Sequence, residues 1–588
     1  MKYKYIILLL VFFMGSCTKD FLEKAPLDQI SDASFWTTDN DLMIYVNYYY
    51  RVFPTYKGRG NGQYQADYES DNMAQETPYA RFQGVLSVPT SAGDSKYNSD
   101  WYKFYDLPYN FDWIRGINIL LANYQRVTSP WDQARQYVGE AYFFRAYMYF
   151  DLLRFYGELP WISKPLTSES EELYSSRLPR NVVTDSIVAD LDKAIDYMKS
   201  KGDVSASRLN SEIALLFKSR VCLYEGTWEK YHAGTSFGAT GSDGSKFLNL
   251  AASTAKELMD KGLYSINNTG NPNKDYENCF NQTDYSNNPE IMLWKEYSSE
   301  LGFENYSQMA LTGWYDWIGY GGVTRWLVDS YLCNDGLPIS TSPLYAGDAS
   351  LKDEFKNRDP RFYQTIFKPG DPVRIESNED TVTVFTIPTF NEFNNSRTGF
   401  RLKKGLDPHN LIPGQQNGET GHMLFRYAEA LMNFAEAKSE LGTLTQADVD
   451  ISVNLLRDRV NMPHLIIDNI SHDPNWDFPS LSPIINEIRR ERRVEFGCEG
   501  MRKDDLMRWR AHELFVNKRP KGVRFIQSDY PDIEVGVDIN VDEDGYVDIY
   551  QKILPNGFQF NPSRDYLLPL SINELTLNPK LEQNPGWN

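Results

Sequence analysis

Residues 138–156 are apolar on two sides at once. Ala141, Phe144, Met148, Leu152 and Phe155 step by three or four residues along one stripe, and Tyr142, Tyr149 and Tyr156 recur every seven residues along another. Such steps follow the turn of an α-helix. A surface helix needs one apolar stripe, so a helix carrying two must lie between neighbours. This one segment therefore commits the chain to a layered, mainly α fold. The pattern stops at Gly157, with Pro160 beyond it, a common helix ending.

The neighbours can be read from the same periodicity. It predicts helices over 181–199, 210–228 and 248–263, and again over 424–441, 448–460, 483–497 and 504–514. Short turns between helix pairs point to tetratricopeptide-like packing, although no strict repeat of about 34 residues is present. Ala428, Ala430, Ala435 and Ala437 would let neighbours approach closely. Trp36, Trp101 and Trp113 lie in helical patterns and read as core. Residues 266–420 differ, being rich in Gly, Asn, Pro and aromatics, with residues 381–387 alternating as a strand. Loops of this length inside a compact protein usually carry function. Residues 516–588 are Pro- and Asn-rich and read as a wrapping segment. The expected organisation is a helical region over 31–265, then a region over 266–588. The latter holds a loop-rich insert (266–420), helices (424–515) and the wrap (516–588).

The N-terminus carries Lys2 and Lys4, then an apolar run over residues 6–14. That run is far shorter than the roughly 20 residues that span a bilayer, and reads as a signal-peptide core. Gly15 and Ser16 before Cys17 resemble a bacterial lipobox, with Met14 standing where Leu is usual. Residues 1–16 are thus expected to be a signal peptide, Cys17 the lipidated anchor, and residues 17–30 a polar tether. Buried acyl chains contribute about 0.8 kcal/mol per methylene, so several hold a protein stably.

Net charge is −20, from 60 basic and 80 acidic side chains. That balance argues against nucleic-acid binding, which needs basic faces. Arg489, Arg490, Arg492 and Arg493 are interleaved with Glu487, Glu491 and Glu495, which reads as a helix laced with ion pairs. Cys222, Cys279, Cys333 and Cys498 show no zinc spacing. Cys222 and Cys498 fall in helical patterns and read as free, buried thiols, while the pairing state of the four stays open.

Catalytic signals are few. The residues from Gly234 through Ser236 to Gly238 fit G-x-S-x-G, but lie in a loop after a helix rather than between a strand and a helix. The six His show no HExxH spacing. Carboxylate pairs for glycoside hydrolysis depend on spatial separation, which sequence leaves open. Asn540, Asp542, Asp544 and Asp548, with Gly545, approximate a calcium loop. Gln551 stands where that loop needs a bidentate Glu, and a plain acidic turn is the preferred reading. No cofactor is expected.

Several phrases, read together, resemble the SusD/RagB family. Residues 144–150 (FRAYMYF), followed by Tyr156, Gly157 and Pro160, are similar to its RAxxYF…YGxxP phrase. Asp359, Pro360 and Arg361 resemble its RDPR element, and are expected to pin a turn. Arg426 to Ala430 with Glu436, then Glu491 to Glu495 with Gly500 and Trp509, follow in family order, as do Pro569 and Pro585 to Trp587. The resemblance runs from residue 17 to the end. It implies a helical, tetratricopeptide-containing lipoprotein of the outer membrane, exposed on the cell surface. Such a protein caps a SusC-like TonB-dependent transporter and delivers glycan, or in some members peptide. Competing readings are a surface glycoside hydrolase and a protein-only scaffold of the same fold.

If the ligand is a saccharide, aromatic rings should stack on its C–H faces and polar side chains should meet its hydroxyls. Trp314, Trp317 and Tyr320 cluster in a Gly-flanked loop, with Asp316 as an edge partner. A second candidate, residues 67–81 with Asp71, Asn72, Tyr79 and Arg81, corresponds by order to a family region on the ligand face.

Overall fold

A computed structural model describes residues 35–54, 67–91, 111–305, 307–312, 322–375, 382–390, 396–409 and 418–587. Its principal helices are α1 (Asp39–Asn47), α2 (Phe111–Asn123), α3 (Trp131–Tyr156), α4 (Arg180–Tyr197), α5 (Ser211–Tyr231), α6 (Ser245–Asp260), α7 (Ala428–Glu440), α8 (Val453–Arg459), α9 (Pro483–Glu495) and α10 (Arg502–Arg508). Three small antiparallel sheets pair β1 (Met73–Ala74) with β3 (Gly322–Val323), β2 (Ile291–Lys295) with β6 (His422–Arg426), and β4 (Pro372–Ile375) with β5 (Val382–Val384). The fold is mainly α. Among the described residues, no helix is long and apolar enough to cross a membrane.

Helix α3 is the centre of the helical layer, as its two stripes require. Ala141, Phe144, Met148 and Leu152 are buried on one side and Tyr142 and Tyr149 on the other. It packs on α4, α2 and α1, and α4, α5, α6 and α7 follow by successive contact. Asn210 caps α5 by accepting a hydrogen bond from the Ile213 amide at 3.0 Å. Helices on both sides of residue 265 share one hydrophobic core, with α7 packed on α5 and α6. A second core gathers the loop-rich residues around Tyr276, Val323, Phe362 and Phe400.

Helix α3 ends where Gly157 adopts φ +71°, and a Cβ there would sit 2.8 Å from Leu567 Cδ1. Residues 566–587 close over this end. The Leu568 amide donates to the Phe155 carbonyl at 2.8 Å, and Asn584 Nδ2 donates to the Tyr156 carbonyl at 3.0 Å.

Two predicted helices are divided. Residues 422–426 form β6, because they pair with Ile291–Lys295 before the helix begins at Ala428. The segment 448–460 breaks at Ser452, whose φ of −133° and ψ of −90° leave the helical region. Val382–Val384 is a strand as expected, but with all three residues exposed. Trp36 is buried, Trp113 is half-buried and stacked on Tyr48 with centroids 5.1 Å apart, and Trp101 lies outside the described residues. Cys222, Cys279, Cys333 and Cys498 are free and buried.

Beneath the loop-rich region lies a buried network of charges. Glu495 at the end of α9 accepts from Arg459 Nη2 at 2.6 Å, Arg426 Nη1 at 2.6 Å and Arg361 Nη1 at 3.0 Å. Arg426 also donates to Glu290 at 2.9 Å and Glu499 at 2.7 Å. Arg361 donates to Glu491 at 2.6 Å and to Asp359 at 2.8 Å, while Asp359 also accepts from the Arg361 amide and so starts the helical turn Pro360–Thr365. Burial alone would raise the Glu495 carboxyl, but Arg459, Arg426 and Arg361 outweigh it and hold it far below the usual range.

This arrangement fixes how stability depends on pH. Burial raises the carboxyls of Asp71 and Glu436, yet the guanidinium groups beside them bring both down to about 2. Such groups contribute stability that is complete above their ordinary values and lost as pH falls through their folded ones. Burial pushes Asp67 up to about 6, so it takes up a proton first in the folded state and adds stability as pH falls toward 4. Thermal melts should therefore show a steep fall in Tm between roughly pH 4 and 2. A Tm that stays level down to pH 2 would contradict the buried network.

Candidate functional site

The segment that begins at Asp67 is held from below by α9 and α10. Asp67 Oδ2 accepts from Asn72 Nδ2 at 2.9 Å and from the Cys498 amide at 2.8 Å. Asp71 takes Arg502 in a two-pronged pair at 2.7 and 2.8 Å, and meets Arg493 Nη2 at 3.0 Å. Asn72 Oδ1 accepts from Arg493 Nε at 2.8 Å. Arg81 lies buried in the short turn Ala80–Gln83, its Nη1 3.8 Å from Met507 Sδ. Sequence order places Asp71, Asn72 and Arg81 on a ligand face, whereas the structure puts their side chains inside, where they position the segment rather than present it. Tyr79 is half-buried and stands on the wall of a cavity.

What the anchored segment presents is its continuation. Met73 and Ala74 pair with Val323 and Gly322. The Thr324 amide donates to the Asn72 carbonyl at 2.9 Å, and Thr324 Oγ1 donates to the Asp71 carbonyl at 2.5 Å. A third strand-like segment joins them, with the Val323 amide donating to the Phe400 carbonyl at 3.0 Å. Gly322 is required here, since a Cβ would lie 2.1 Å from Thr398 Oγ1 and 2.4 Å from Ser396 Oγ. Trp314, Asp316, Trp317 and Tyr320 lie outside the described residues. The strand that follows them is nevertheless fixed directly beside residues 71–74. Residues 322–324, which directly follow one candidate segment in sequence, thus pair with residues 71–74 of the other along one ribbon.

Around that ribbon the surface is polar. Glu76 and Thr77 are exposed, and Arg397 Nη2 reaches Glu76 at 3.3 Å. Arg401 Nη2 donates to the Leu311 carbonyl at 2.7 Å, in the short helix Ser307–Thr312. Burial lowers the Arg401 guanidinium to about 10. Carboxylate, hydroxyl and guanidinium groups together suit a hydroxylated ligand.

The other motifs resolve into structure. Ser236 is exposed, while His232 is buried, stacked 4.1 Å from Trp228, with Nε2 2.9 Å from the Met507 carbonyl. Burial lowers that imidazole to about 3, and the G-x-S-x-G loop assembles no nucleophile with a base. The acidic loop is a hairpin bridged between Val541 and Val547. Asp542 accepts from the Asp544 and Tyr546 amides and pairs with Lys521 at 2.9 Å. Asp548 pairs with Arg519 at 2.8 Å and Lys521 at 2.7 Å. Its carboxylates face cations, Asn540 and Asp544 add no convergent cage, and among the described residues no group of three or more His, Cys, Asp or Glu could hold a metal ion.

A family model described as the SusD family matches residues 256–587, more than half of the chain. The chain belongs to the SusD family. A second model, described as starch-binding associating with outer membrane, matches residues 20–223. A SusD-like protein of Formosa agariphila is 24% identical over 527 residues, covering 86% of this chain and 90% of the relative. Among solved structures, a SusD-like carbohydrate binding protein from Bacteroides fragilis superposes with a TM-score of 0.69 at 20% identity, over 93% of this chain and 100% of that one. A laminarin binding SusD-like protein superposes with a TM-score of 0.51 at 19% identity, over 94% and 100%.

Within this SusD-family fold, Asp71 is a positioning group for the ribbon. Removing one partner of a buried ion pair costs about 3–5 kcal/mol. Asp71→Asn should therefore lower the denaturant midpoint markedly. The exposed Glu76→Gln should stay within about 0.5 kcal/mol of the parent. Equal effects of the two in urea unfolding would place Asp71 outside the interior.

Proposed function

We propose that this chain is a non-catalytic cell-surface lipoprotein, anchored by Cys17, that captures oligosaccharide and passes it to a SusC-like TonB-dependent transporter in the outer membrane. The observation that carries the reading is the ribbon. It sets Gly322 and Val323, which directly follow Trp314, Asp316, Trp317 and Tyr320 in sequence, beside Met73 and Ala74. Family membership supports the transporter role, and the carbohydrate- and laminarin-binding proteins of like fold support a glycan as ligand. The rings supply stacking faces, while Glu76, Thr77 and Arg397 are placed to meet hydroxyls.

The test is calorimetric titration of Trp314→Ala, Trp317→Ala and Tyr320→Ala with laminarin or whichever glycan an array identifies, beside thermal melts. Loss of a stacking ring should cost about 1–3 kcal/mol, by analogy with base stacking on aromatics. That is roughly a 5- to 150-fold loss of affinity. Melting temperature should barely move, whereas a core Trp would cost about 3–5 kcal/mol of stability. Unchanged affinity in all three variants would remove the loop from the site.

Delivery has its own test. Purification of the tagged chain from detergent-solubilised outer membranes should bring down a TonB-dependent barrel in stable proportion. Repeated recovery of the chain alone would contradict delivery without touching the glycan site.

A further inference from the structure

A cavity of about 230 Å³ lies where α3, α5, α7, α9 and α10 meet β6. It is separate from the ribbon, sharing with residues 67–81 only Glu69 and Tyr79. Ordinary small-molecule sites run from about 300 Å³ upward, so the space is on the scale of a single sugar ring.

Its walls are largely aromatic. Tyr147, Phe150 and Phe155 come from α3, Phe217 and Tyr224 from α5, and Phe425 from β6. Tyr147, Phe155 and Tyr79 are only half-buried, so the space communicates with solvent on their side. The polar wall is made of charges already in pairs. Arg154 is joined to Asp151 and Asp504, Arg220 to Glu429 at 2.5 and 2.6 Å, and Lys503 to Glu69 at 2.6 Å.

That chemistry selects among occupants. Neutralised pairs give an ion no net attraction. A purely apolar molecule would desolvate the pairs and return no hydrogen bonds. A carboxylate oxygen has more than one acceptor site, so a paired Asp or Glu still accepts from a hydroxyl. A neutral polyhydroxylated ring answers both walls, with its C–H face toward the aromatics and its hydroxyls toward the pairs. We propose that this cavity is a second carbohydrate site, sized for one neutral pyranose ring and independent of the aromatic loop.

The full-length chain would be titrated with glucose, galactose, mannose and xylose by saturation-transfer NMR and calorimetry. Three variants accompany it. Leu424→Trp places a larger side chain at a half-exposed wall position, Phe155→Ala removes an aromatic wall, and the combined Trp314→Ala, Trp317→Ala, Tyr320→Ala change disables the loop. Saturable binding of at least one monosaccharide is expected. It should be weakened at least about tenfold by Leu424→Trp or Phe155→Ala, and unchanged in the loop variant. If Leu424→Trp fails to fold, Phe155→Ala decides. No saturable binding of any of the four sugars overturns the proposal. So does binding indifferent to Phe155→Ala, or binding abolished by the loop variant. Loss of oligosaccharide affinity in the loop variant with monosaccharide binding intact separates this site from the first.

Discussion

Four buried charges around Glu495 hold together segments that local structure cannot. Arg361, Arg426 and Arg459 reach one carboxylate from a loop turn, a strand and a helix, and Glu290 closes the group from just before β2. Burying such charges is costly unless each is paired and hydrogen-bonded. Apolar side chains could pack into the same volume at similar stability, but they would tolerate sliding. Ion pairs of fixed geometry tolerate little. The network therefore acts on register, fixing where the loop-rich region sits on the helices.

From that fixed base the site is built outward in steps. Helix α9 sends Glu495 and Glu491 into the network and Arg493 to Asp71 and Asn72. Asp71 and Asn72 hold β1, and β1 holds β3, where the aromatic loop returns. One helix thus connects the buried charges to the β1–β3 ribbon. Lys404 reinforces the link, donating to Glu499 at 2.7 Å and to the Gly497 carbonyl at 3.0 Å.

The helical layer was legible because periodicity is a local property. The two stripes on residues 138–156 announced a sandwiched helix, and Gly157 announced its end. The spacing of Arg and Glu over residues 487–495 announced ion pairs, but not with whom. Only Arg490 pairs within the helix, with Glu487 at 3.3 Å, whereas Arg489, Arg492 and Arg493 pair with Glu440, Asp505 and Asp71. The same gap explains Asp71 and Arg81. A polar side chain in a loop looks available until the structure shows what lies over it, and those partners are more than 400 positions away. Residues 424–426 read as helix because the strand that claims them, β2, lies far upstream. The pairing of β1 with β3 was equally hidden, since a pairing of two residues leaves no pattern.

The contact of residues 566–587 with the end of α3 carries a consequence for how the chain matures. A separation of 410 of the 588 residues lies between Gly157 and Leu567, so that seam is of high contact order. The helices around α3 must form with an apolar face uncovered until residues 566–587 are made. A nascent chain in that state is exposed to aggregation while the intervening residues are synthesised. The final residues are then the latch of the folding reaction, and a truncated product would carry a sticky seam rather than merely a shorter tail.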